Sequence, residues 1–131
     1  MIRKFHEART DSTTGGKATV KLWGHGTALR EFLHVDDMAS AALFALRDDV
    51  IGLYNVGSGE ELSIRDLADL IGSVVGYEGR VAWDTGKPDG TPRKLLDSSR
   101  IRALGWKPAI DLREGLANTY EWYLNSSGEP R

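Results

Sequence analysis

An eight-residue loop, 87–94, carries the residue types best suited to holding an anion. It reads Lys-Pro-Asp-Gly-Thr-Pro-Arg-Lys, and two prolines with one glycine exclude a helix or a central strand. Lys87, Arg93 and Lys94 outweigh Asp89, so the loop is positively charged. Because the prolines restrict the backbone, less entropy is lost when the loop is ordered on a diphosphate. Taken alone, a solvated surface loop is the commoner explanation, and the flanking sequence must decide.

Paired acidic residues and three histidines are the other groups that invite a chemical role. Asp36 and Asp37 stand between a predicted strand and a predicted helix, where carboxylates typically cap the helix and charge its first turn. His6, His25 and His34 are isolated, without the spacing of a zinc site, and no Gly-x-Ser-x-Gly motif is present. His34 is expected to be a hydrogen-bonded interior residue. The sequence therefore predicts no metal site and no nucleophile.

Hydrophobic periodicity and capping signals predict an α/β fold in which short strands are flanked by helices. Ser63-Ile-Arg-Asp66 is a capping box before a buried stripe that ends at Gly76, and Asp111 caps the last helix. Leu116, Tyr120 and Tyr123 fall on one side of that last helix. Met38, Ala41, Ala42 and Ala45 share a face of an earlier one. The expected helices are 1–9, 37–47, 63–75, 98–104 and from 111; the expected strands are 18–23, 30–35, 52–56 and 81–84.

Length and composition indicate one ordinary domain. The chain has 131 residues, 40% hydrophobic and 27% charged, and we predict a domain over 1–125 followed by a frayed tail, 126–131. There is no cysteine, which excludes disulfides and thiolate metal sites. The net charge of −2 and the scattered basic residues argue against nucleic-acid binding. No signal peptide or long apolar run is visible, so we expect a cytoplasmic protein with no membrane segment.

Four blocks of sequence, in order, carry a resemblance to a known family. They are Trp23-Gly-His-Gly with 30–39, Asn55-Val-Gly-Ser-Gly with 63–68, the loop with its flanks at 81–97, and the tail from Leu104-Gly-Trp-Lys-Pro. The tail resembles many extended short-chain dehydrogenases that act on sugar nucleotides. The loop is more specific and resembles that of the GDP-L-fucose synthases, which are NADP-dependent epimerase/reductases. The resemblance covers almost the whole chain.

This resemblance implies a substrate, a cofactor and a set of contacts. The intact family enzyme converts GDP-4-keto-6-deoxy-mannose to GDP-L-fucose with NADP(H), and a homodimer is implied. This chain resembles its carboxyl-terminal, nucleotide-sugar-binding domain, which would grip the diphosphate of the GDP-sugar. The substrate-binding residues implied are Lys4, Trp23, Arg30, Asp89 and Lys94.

Each implied contact also has a structural explanation from the residues themselves. Trp23 at a strand end would usually be core, although an indole also offers a flat face to a sugar or base. The guanidinium of Arg30 suits a phosphate, but it could instead pair with Glu31 or Asp84. Lys4 could equally be solvated. Asp before Gly is a common turn pairing, which makes a turn the safer explanation for Asp89.

The chain lacks the sequence features of a dinucleotide-binding, catalytic domain. Neither Gly24-His-Gly26 nor Gly57-Ser-Gly59 has the third glycine of the dinucleotide loop, and no tyrosine is followed by Lys four residues later. The Gly57-Ser-Gly59 turn has amides that could contact phosphate. We therefore expect no catalytic and no cofactor-binding residue in this chain, and a missing Rossmann half as its partner.

The amino-terminal helix suggests the same division. Met1, Ile2 and Phe5 share a face, and nothing before them could cap the helix. We expect this face to be exposed in the isolated chain and to promote self-association. Two alternatives remain at this point: part of another sugar-nucleotide epimerase or dehydratase, against which the 87–94 loop argues, and a non-catalytic nucleotide-sugar-binding or interaction module, against which the uncapped helix argues.

Overall fold

The computed structural model describes residues 1–126, which form an α/β domain of five helices and five short strands. The helices are α1 (Ile2–Thr10), α2 (Val35–Phe44), α3 (Ile64–Val75), α4 (Ser99–Ala103) and α5 (Leu112–Ser126), with one turn of 3-10 helix at Ser12–Thr14. The strands are β1 (Val20–Trp23), β2 (Leu29–Glu31), β3 (Glu61–Ser63), β4 (Val81–Asp84) and β5 (Arg93–Lys94). The predicted fold class of short strands flanked by helices is confirmed.

The strands form two small sheets joined by the loops that matter for function. β1 and β4 pair in parallel, from Val20 opposite Val81 to Trp23 opposite Asp84. In the second sheet β2 is central, antiparallel to β3 and parallel to β5. The predicted binding loop leaves β4 in the first sheet and ends as β5 in the second. The fold thus ties both ends of the loop to regular structure.

The main core lies between α1, α3, α5 and the first sheet. Phe5 is only 1% exposed and packs its ring edge-on against Tyr77, with centroids 5.3 Å apart. Ile2 also packs against this core, and only Met1 stays substantially exposed. The expectation that Met1, Ile2 and Phe5 form an exposed face is therefore wrong, because α3 and β1 already cover it.

A second, smaller cluster lies between α2 and α4. It is built from Ala41, Ile101 and Trp106, with Tyr54 and Val56 packed against it. The expected shared face of α2 is not the buried one, since Met38, Ala42 and Ala45 are exposed. The helix instead buries Asp37, whose carboxylate accepts hydrogen bonds from the backbone amides of Ala109 (2.9 Å) and Ile110 (3.1 Å). Asp37 thus anchors α2 to the segment before α5 rather than serving only as first-turn charge.

The helix signals in the sequence are confirmed at α3 and α5. The Ser63 side chain accepts from the amide of Asp66 at 3.0 Å, and Gly76 ends α3 with φ of 71°. Asp111 accepts from the amide of Glu114 at 2.8 Å and caps α5. α5 turns Leu116, Tyr120 and Tyr123 toward the main core, as predicted.

The Ser63 cap gives a stability prediction. Ser63→Ala should lower the free energy of unfolding by about 1 kcal/mol, because an amide at the start of α3 loses its acceptor. Urea denaturation measures this, with Ser12→Ala as control, since Ser12 is exposed and its hydroxyl makes no hydrogen bond within residues 1–126. Equal losses in both variants would show that the cap contributes nothing particular.

Several predicted boundaries differ from the structure. The strand expected at 30–35 stops at Glu31, and α2 begins at Val35 because the side chain of His34 accepts from the amide of Asp36 (3.3 Å) as an N-cap. His34 is largely buried and hydrogen-bonded, as expected, but it lies outside the strand in which it was predicted. The predicted strand 52–56 is absent, because no strand within residues 1–126 lies beside it to form a ladder.

α5 extends through Ser126, whereas 127–131, most of the predicted frayed tail, lie outside the described residues. Among the helices that the structure describes, none has the length and apolar character needed to cross a membrane.

Candidate functional site

The end of β1 places an indole on the surface. Trp23 is 69% exposed, so it is not a core residue. The ammonium of Lys87, the first residue of the loop, lies 5.7 Å from the centroid of the Trp23 ring, within cation–π range. A flat apolar face with a cation beside it suits a planar or sugar ligand that carries negative charge.

Asp89 fastens the tip of the loop to the turn after β1. Its carboxylate accepts from the backbone amide of His25 at 2.5 Å and contacts His25 Nδ1 at 2.7 Å. These donors, the backbone amide first, lower the pKa of Asp89 below its usual value of 3.8. The contact therefore persists at neutral pH and is lost only as the pH falls through that lowered pKa. Asp89 acts in the structure as a fastening group, close to the turn role expected from the sequence.

The turn that receives Asp89 is shaped by glycine. Gly24 has φ of 75°, and a Cβ there would lie 2.2 Å from Asp89 Oδ1. Arg65, at the start of α3, donates to the carbonyl of His25 at 2.6 Å and lies 4.6 Å from the centroid of Trp83. The turn 24–26 is thus held from both sides, and it in turn holds the loop.

A substitution at Gly24 tests this fastening. Gly24→Ala should displace Asp89 and speed amide hydrogen exchange across 87–92 by about tenfold, because a methyl group occupies the carboxylate's position. Gly15→Ala is the matched control: Gly15 also has positive φ, at 63°, but no atom lies within 4 Å of its added Cβ. The same exchange change in both variants would mean that backbone strain alone loosens the chain.

The pairing of β2 with β5 brings two cations together. Arg30 and Lys94 are opposite each other in the parallel register, so their side chains share one face of the sheet. Arg30 donates to the carbonyl of Leu29 at 2.6 Å, and a Cβ on Gly90 would lie 3.8 Å from its Nη2 atom. Its guanidinium thus lies beside the loop tip. Within residues 1–126 neither Arg30 nor Lys94 has a carboxylate partner, and the alternative of an ion pair from Arg30 to Glu31 or Asp84 is wrong.

Arg93, the third cation of the binding loop, points to the opposite face. Its guanidinium forms a two-pronged contact with Glu61 on β3, with nitrogen–oxygen distances of 2.5 to 2.9 Å. The Arg93 hydrogen bonds hold the pKa of Glu61 below its usual value. The charge of Arg93 is therefore neutralised, and the loop's positive charge available to a ligand comes from Lys87 and Lys94.

Two other sequence candidates lie apart from this pair of cations. Lys4 is exposed on α1 and donates to the carbonyl of Lys21 on β1 at 3.2 Å, which leaves its remaining N–H groups toward solvent. The amide of Gly59 is not free for a phosphate, because it donates to Glu31 Oε1. Glu31 also receives the amide of Leu96 at 3.3 Å and so organises the 57–59 turn.

The site is an open surface rather than a cavity. A groove of about 630 Å³ lies elsewhere, between α2 and α5, and a second of about 420 Å³ lies beside β3. Neither is lined by Lys4, Trp23, Arg30, Asp89 or Lys94. Within the described part of the chain no His, Asp and Glu cluster could hold a metal ion.

The chain is similar to an epimerase family and to several GDP-L-fucose synthases. Residues 1–57 match the NAD dependent epimerase/dehydratase family. A probable GDP-L-fucose synthase 1 from Oryza sativa subsp. japonica is 53% identical over 128 residues, which is 96% of this chain and 38% of the rice protein. The GDP-L-fucose synthase of Escherichia coli strain K12 is 46% identical, over 96% of this chain and 41% of its own length. The chain is homologous to the carboxyl-terminal part of GDP-L-fucose synthases. It spans about two fifths of the length of these relatives.

A solved structure supports the same relationship. The GDP-mannoheptose C4 reductase MlghC from Campylobacter jejuni, solved with NADP bound, superposes with a TM-score of 0.81 at 34% identity. It matches 94% of this chain and 43% of its own chain. The predicted kinship with extended short-chain dehydrogenases that act on sugar nucleotides is thereby confirmed.

Sequence reasoning missed two groups that position the loop. His25 was set aside because no second histidine stood at ligand spacing, yet its amide and ring both contact Asp89. Arg65 lies inside the Ser63–Asp66 capping box, and the sequence did not predict a contact from its side chain to the turn after β1. The glycines on both sides of His25 were the available signal, since positive φ at Gly24 and Gly26 exposes the amide between them.

Proposed function

We propose that this chain is the GDP-sugar-binding part of a GDP-L-fucose synthase, an NADP-dependent epimerase/reductase that converts GDP-4-keto-6-deoxy-mannose to GDP-L-fucose. In this proposal the chain grips the nucleotide sugar and orients it. The proton and hydride steps belong to a dinucleotide-binding domain outside these 131 residues.

The pairing of Arg30 with Lys94 carries the proposal. Two cations on one sheet face, neither with a carboxylate partner in residues 1–126, form a ready site for a diphosphate. Arg30 supplies several donors in a fixed plane, whereas Lys94 acts as a point charge. Arg93 shows the contrast, because its exposed guanidinium is already paired with the carboxylate of Glu61.

The neighbouring groups suit the rest of the ligand. Trp23 offers its face to the base or the sugar, with Lys87 adding charge beside it, and Lys4 extends the basic surface along β1. Asp89 has its oxygens occupied largely by His25, so its role in this proposal is to hold the loop, with a ligand hydroxyl as a further contact.

Binding energy at the diphosphate has a catalytic use. Contacts remote from the reacting carbons fix the sugar ring relative to the base and the hydride donor, which lowers the entropic cost of the reaction. NADP(H) would supply the hydride when bound to the other domain. No residue of this chain is assigned to bind it.

The names of the relatives agree on the nucleotide part of the ligand and differ on the sugar. The fucose synthases and the C. jejuni reductase act on different sugars, and GDP is common to their names. The GDP portion is therefore the better supported part of the ligand, and the sugar follows from the higher identity to the fucose synthases. We also propose a homodimer for the whole enzyme, and cytoplasmic residence, from the family resemblance.

Calorimetric titration of the purified chain tests the proposal. GDP-L-fucose and GDP should bind, whereas guanosine should not, because the diphosphate provides the contacts with Arg30 and Lys94. Affinity should fall as salt is raised, since the site is open to solvent. Equal binding of guanosine and GDP, or no salt dependence, would contradict a diphosphate site.

A further inference from the structure

The imidazole of His25 has one nitrogen engaged and one nitrogen free. Nδ1 lies 2.7 Å from Asp89 Oδ2, whereas Nε2 has no hydrogen-bond partner within residues 1–126. The His25 side chain is nevertheless 57% exposed. The ring therefore contacts the 87–94 loop through one nitrogen and leaves the other open to a ligand.

Asp89 determines which nitrogen of His25 carries the hydrogen. The backbone amide of His25, followed by its ring, lowers the pKa of the Asp89 carboxyl below its usual value, so this group is ionised at neutral pH. An ionised carboxylate only accepts hydrogen bonds, and Nδ1 must therefore be the donor. In the neutral imidazole this leaves Nε2 with a lone pair and no hydrogen. The free nitrogen is thus a hydrogen-bond acceptor.

The turn after β1 fixes the position of this acceptor. The backbone amide of His25 donates to Asp89 Oδ1 at 2.5 Å, and its carbonyl accepts from Arg65 at 2.6 Å. The residue is therefore held by its amide, its carbonyl and Nδ1 at once. Because its main-chain position and its ring are already ordered, a ligand that contacts Nε2 loses little side-chain entropy there.

His25 also lies where a ligand is expected. β1 and β4 are parallel, and the amide of Gly24 donates to the carbonyl of Asp84 at 2.9 Å, so the carboxyl ends of both strands meet. Ligands of open α/β sheets bind outside the carboxyl ends of the strands. Trp23, two residues before His25, offers its exposed indole at this end, with the ammonium of Lys87 5.7 Å from the ring centroid.

The other polar side chains assigned to the ligand leave an acceptor to be supplied. Arg30, Lys94, Lys87 and the indole nitrogen of Trp23 only donate hydrogen bonds. Asp89 is an acceptor, but His25 contacts both of its oxygens. The ribose and the hexose of a nucleotide sugar carry hydroxyl groups that need acceptors as well as donors. Among these groups, Nε2 of His25 is the acceptor that stays open.

We propose that His25 is a ligand-binding residue whose Nε2 accepts a hydrogen bond from a hydroxyl of the GDP-sugar, on the ribose or on the hexose, while Nδ1 holds Asp89. This inference rests on the proposed function, to which it adds a contact outside the diphosphate. Fastening of the loop alone would need only the Nδ1 donor, and an asparagine can supply a donor at that position.

His25→Asn separates the two roles of the side chain. The amide nitrogen of asparagine can take the place of Nδ1 beside Asp89, but asparagine has no atom at the position of Nε2. Amide hydrogen exchange across 87–92 should therefore stay within about twofold of that of the parent chain. The affinity for GDP-L-fucose, measured by calorimetry, should fall about three- to tenfold, the scale of a lost neutral hydrogen bond.

Two further ligands locate the hydroxyl group. If His25→Asn weakens GDP binding but not the binding of 2′,3′-dideoxy-GDP, the hydroxyl belongs to the ribose. If it weakens only GDP-L-fucose binding, the hydroxyl belongs to the hexose. Unchanged affinity for GDP-L-fucose would overturn the inference. An equal loss for all three ligands would also overturn it, because His25 would then act only through the loop.

Nitrogen-15 magnetic resonance of the labelled parent chain tests the same contact without a substitution. In the free chain Nδ1 should carry the hydrogen, and the Nε2 resonance should move upfield when GDP-L-fucose is added. Hydrogen on Nε2, or an Nε2 resonance that the bound ligand leaves unmoved, would contradict the inference.

The proposed function and this inference fail in different ways. A parent chain that binds none of the three ligands would overturn both. If Arg30→Ala and Lys94→Ala weaken GDP-L-fucose binding while His25→Asn does not, the diphosphate site stands and the His25 contact is wrong.

Discussion

The 131-residue chain on its own will form no GDP-L-fucose from GDP-4-keto-6-deoxy-mannose and NADPH. The chain contains no tyrosine followed by lysine four residues later and no glycine-rich dinucleotide loop, and the proposed function assigns the proton and hydride steps to a domain outside these residues. Positioning alone accelerates a reaction only when the reacting groups are present. Oxidation of NADPH, followed by absorbance, should stay at the rate without protein.

The comparison needs a positive control of matched purity. The full-length E. coli synthase, expressed and purified in parallel, should turn over the same substrate. A host lacking its own fucose synthase removes contaminating enzyme. Turnover by the chain alone would place catalytic groups within these residues and refute the division of labour proposed above.

Arg30→Ala and Lys94→Ala should each weaken GDP-sugar binding by about 1.5–3 kcal/mol, the range for a hydrogen bond to a charged group. This is roughly a 10- to 150-fold loss. The suitable host is a hybrid enzyme in which this chain replaces the matching part of the E. coli synthase. Calorimetry should show the loss for GDP-L-fucose and almost none for NADPH.

Arg93→Ala supplies the internal control for this pair. Arg93 precedes Lys94 in the chain and carries the same charge as Arg30, but it points to the other face and pairs with Glu61. The Arg93→Ala substitution should leave the GDP-sugar affinity within about twofold of that of the unsubstituted hybrid enzyme. If Arg93→Ala matches the other two, general electrostatic attraction explains the binding, and if NADPH affinity falls equally, the variants are folding defects.

The parts of the fold that the sequence predicts well are those set by local signals. α3 is fixed by the Ser63 and Asp66 box at one end and by Gly76 at the other, both readable without tertiary knowledge. β1 and β4 follow from short apolar runs between turn residues. Trp23 was placed at a strand end from the same kind of pattern, although only the structure shows that it is exposed.

Features that depend on distant partners could not be read in this way. β5 exists because β2 lies beside it, and nothing local in Arg93-Lys94 predicts a strand after proline. The prediction of a strand at 52–56 is wrong for the converse reason. Its side-chain pattern is that of a strand, but no partner strand lies beside it within residues 1–126. Asp37 looked like a helix cap because its two amide donors lie more than 70 residues away.

The candidate site shows the same division between residue type and placement. The resemblance implied Arg30 and Lys94 singly, and the register of β2 and β5 shows that they share a face. From composition alone, Arg93 is one of three loop cations that could contact a ligand. In the structure its charge is neutralised by Glu61. The net charge of a loop thus overstates the positive charge available to a ligand when one of its cations is paired across the sheet.

Nuclear magnetic resonance of the isotopically labelled chain, titrated with GDP-L-fucose, tests the central claim most directly. We expect the largest changes at the Arg30 guanidinium, the Lys94 ammonium and the Trp23 indole. The phosphorus-31 chemical shifts of the diphosphate should change in parallel, and the chemical shifts of the Arg93 guanidinium should stay constant. If the changes instead cluster on the groove between α2 and α5, around Leu116 and Trp122, the ligand binds elsewhere and the assignment of the β2–β5 face is wrong.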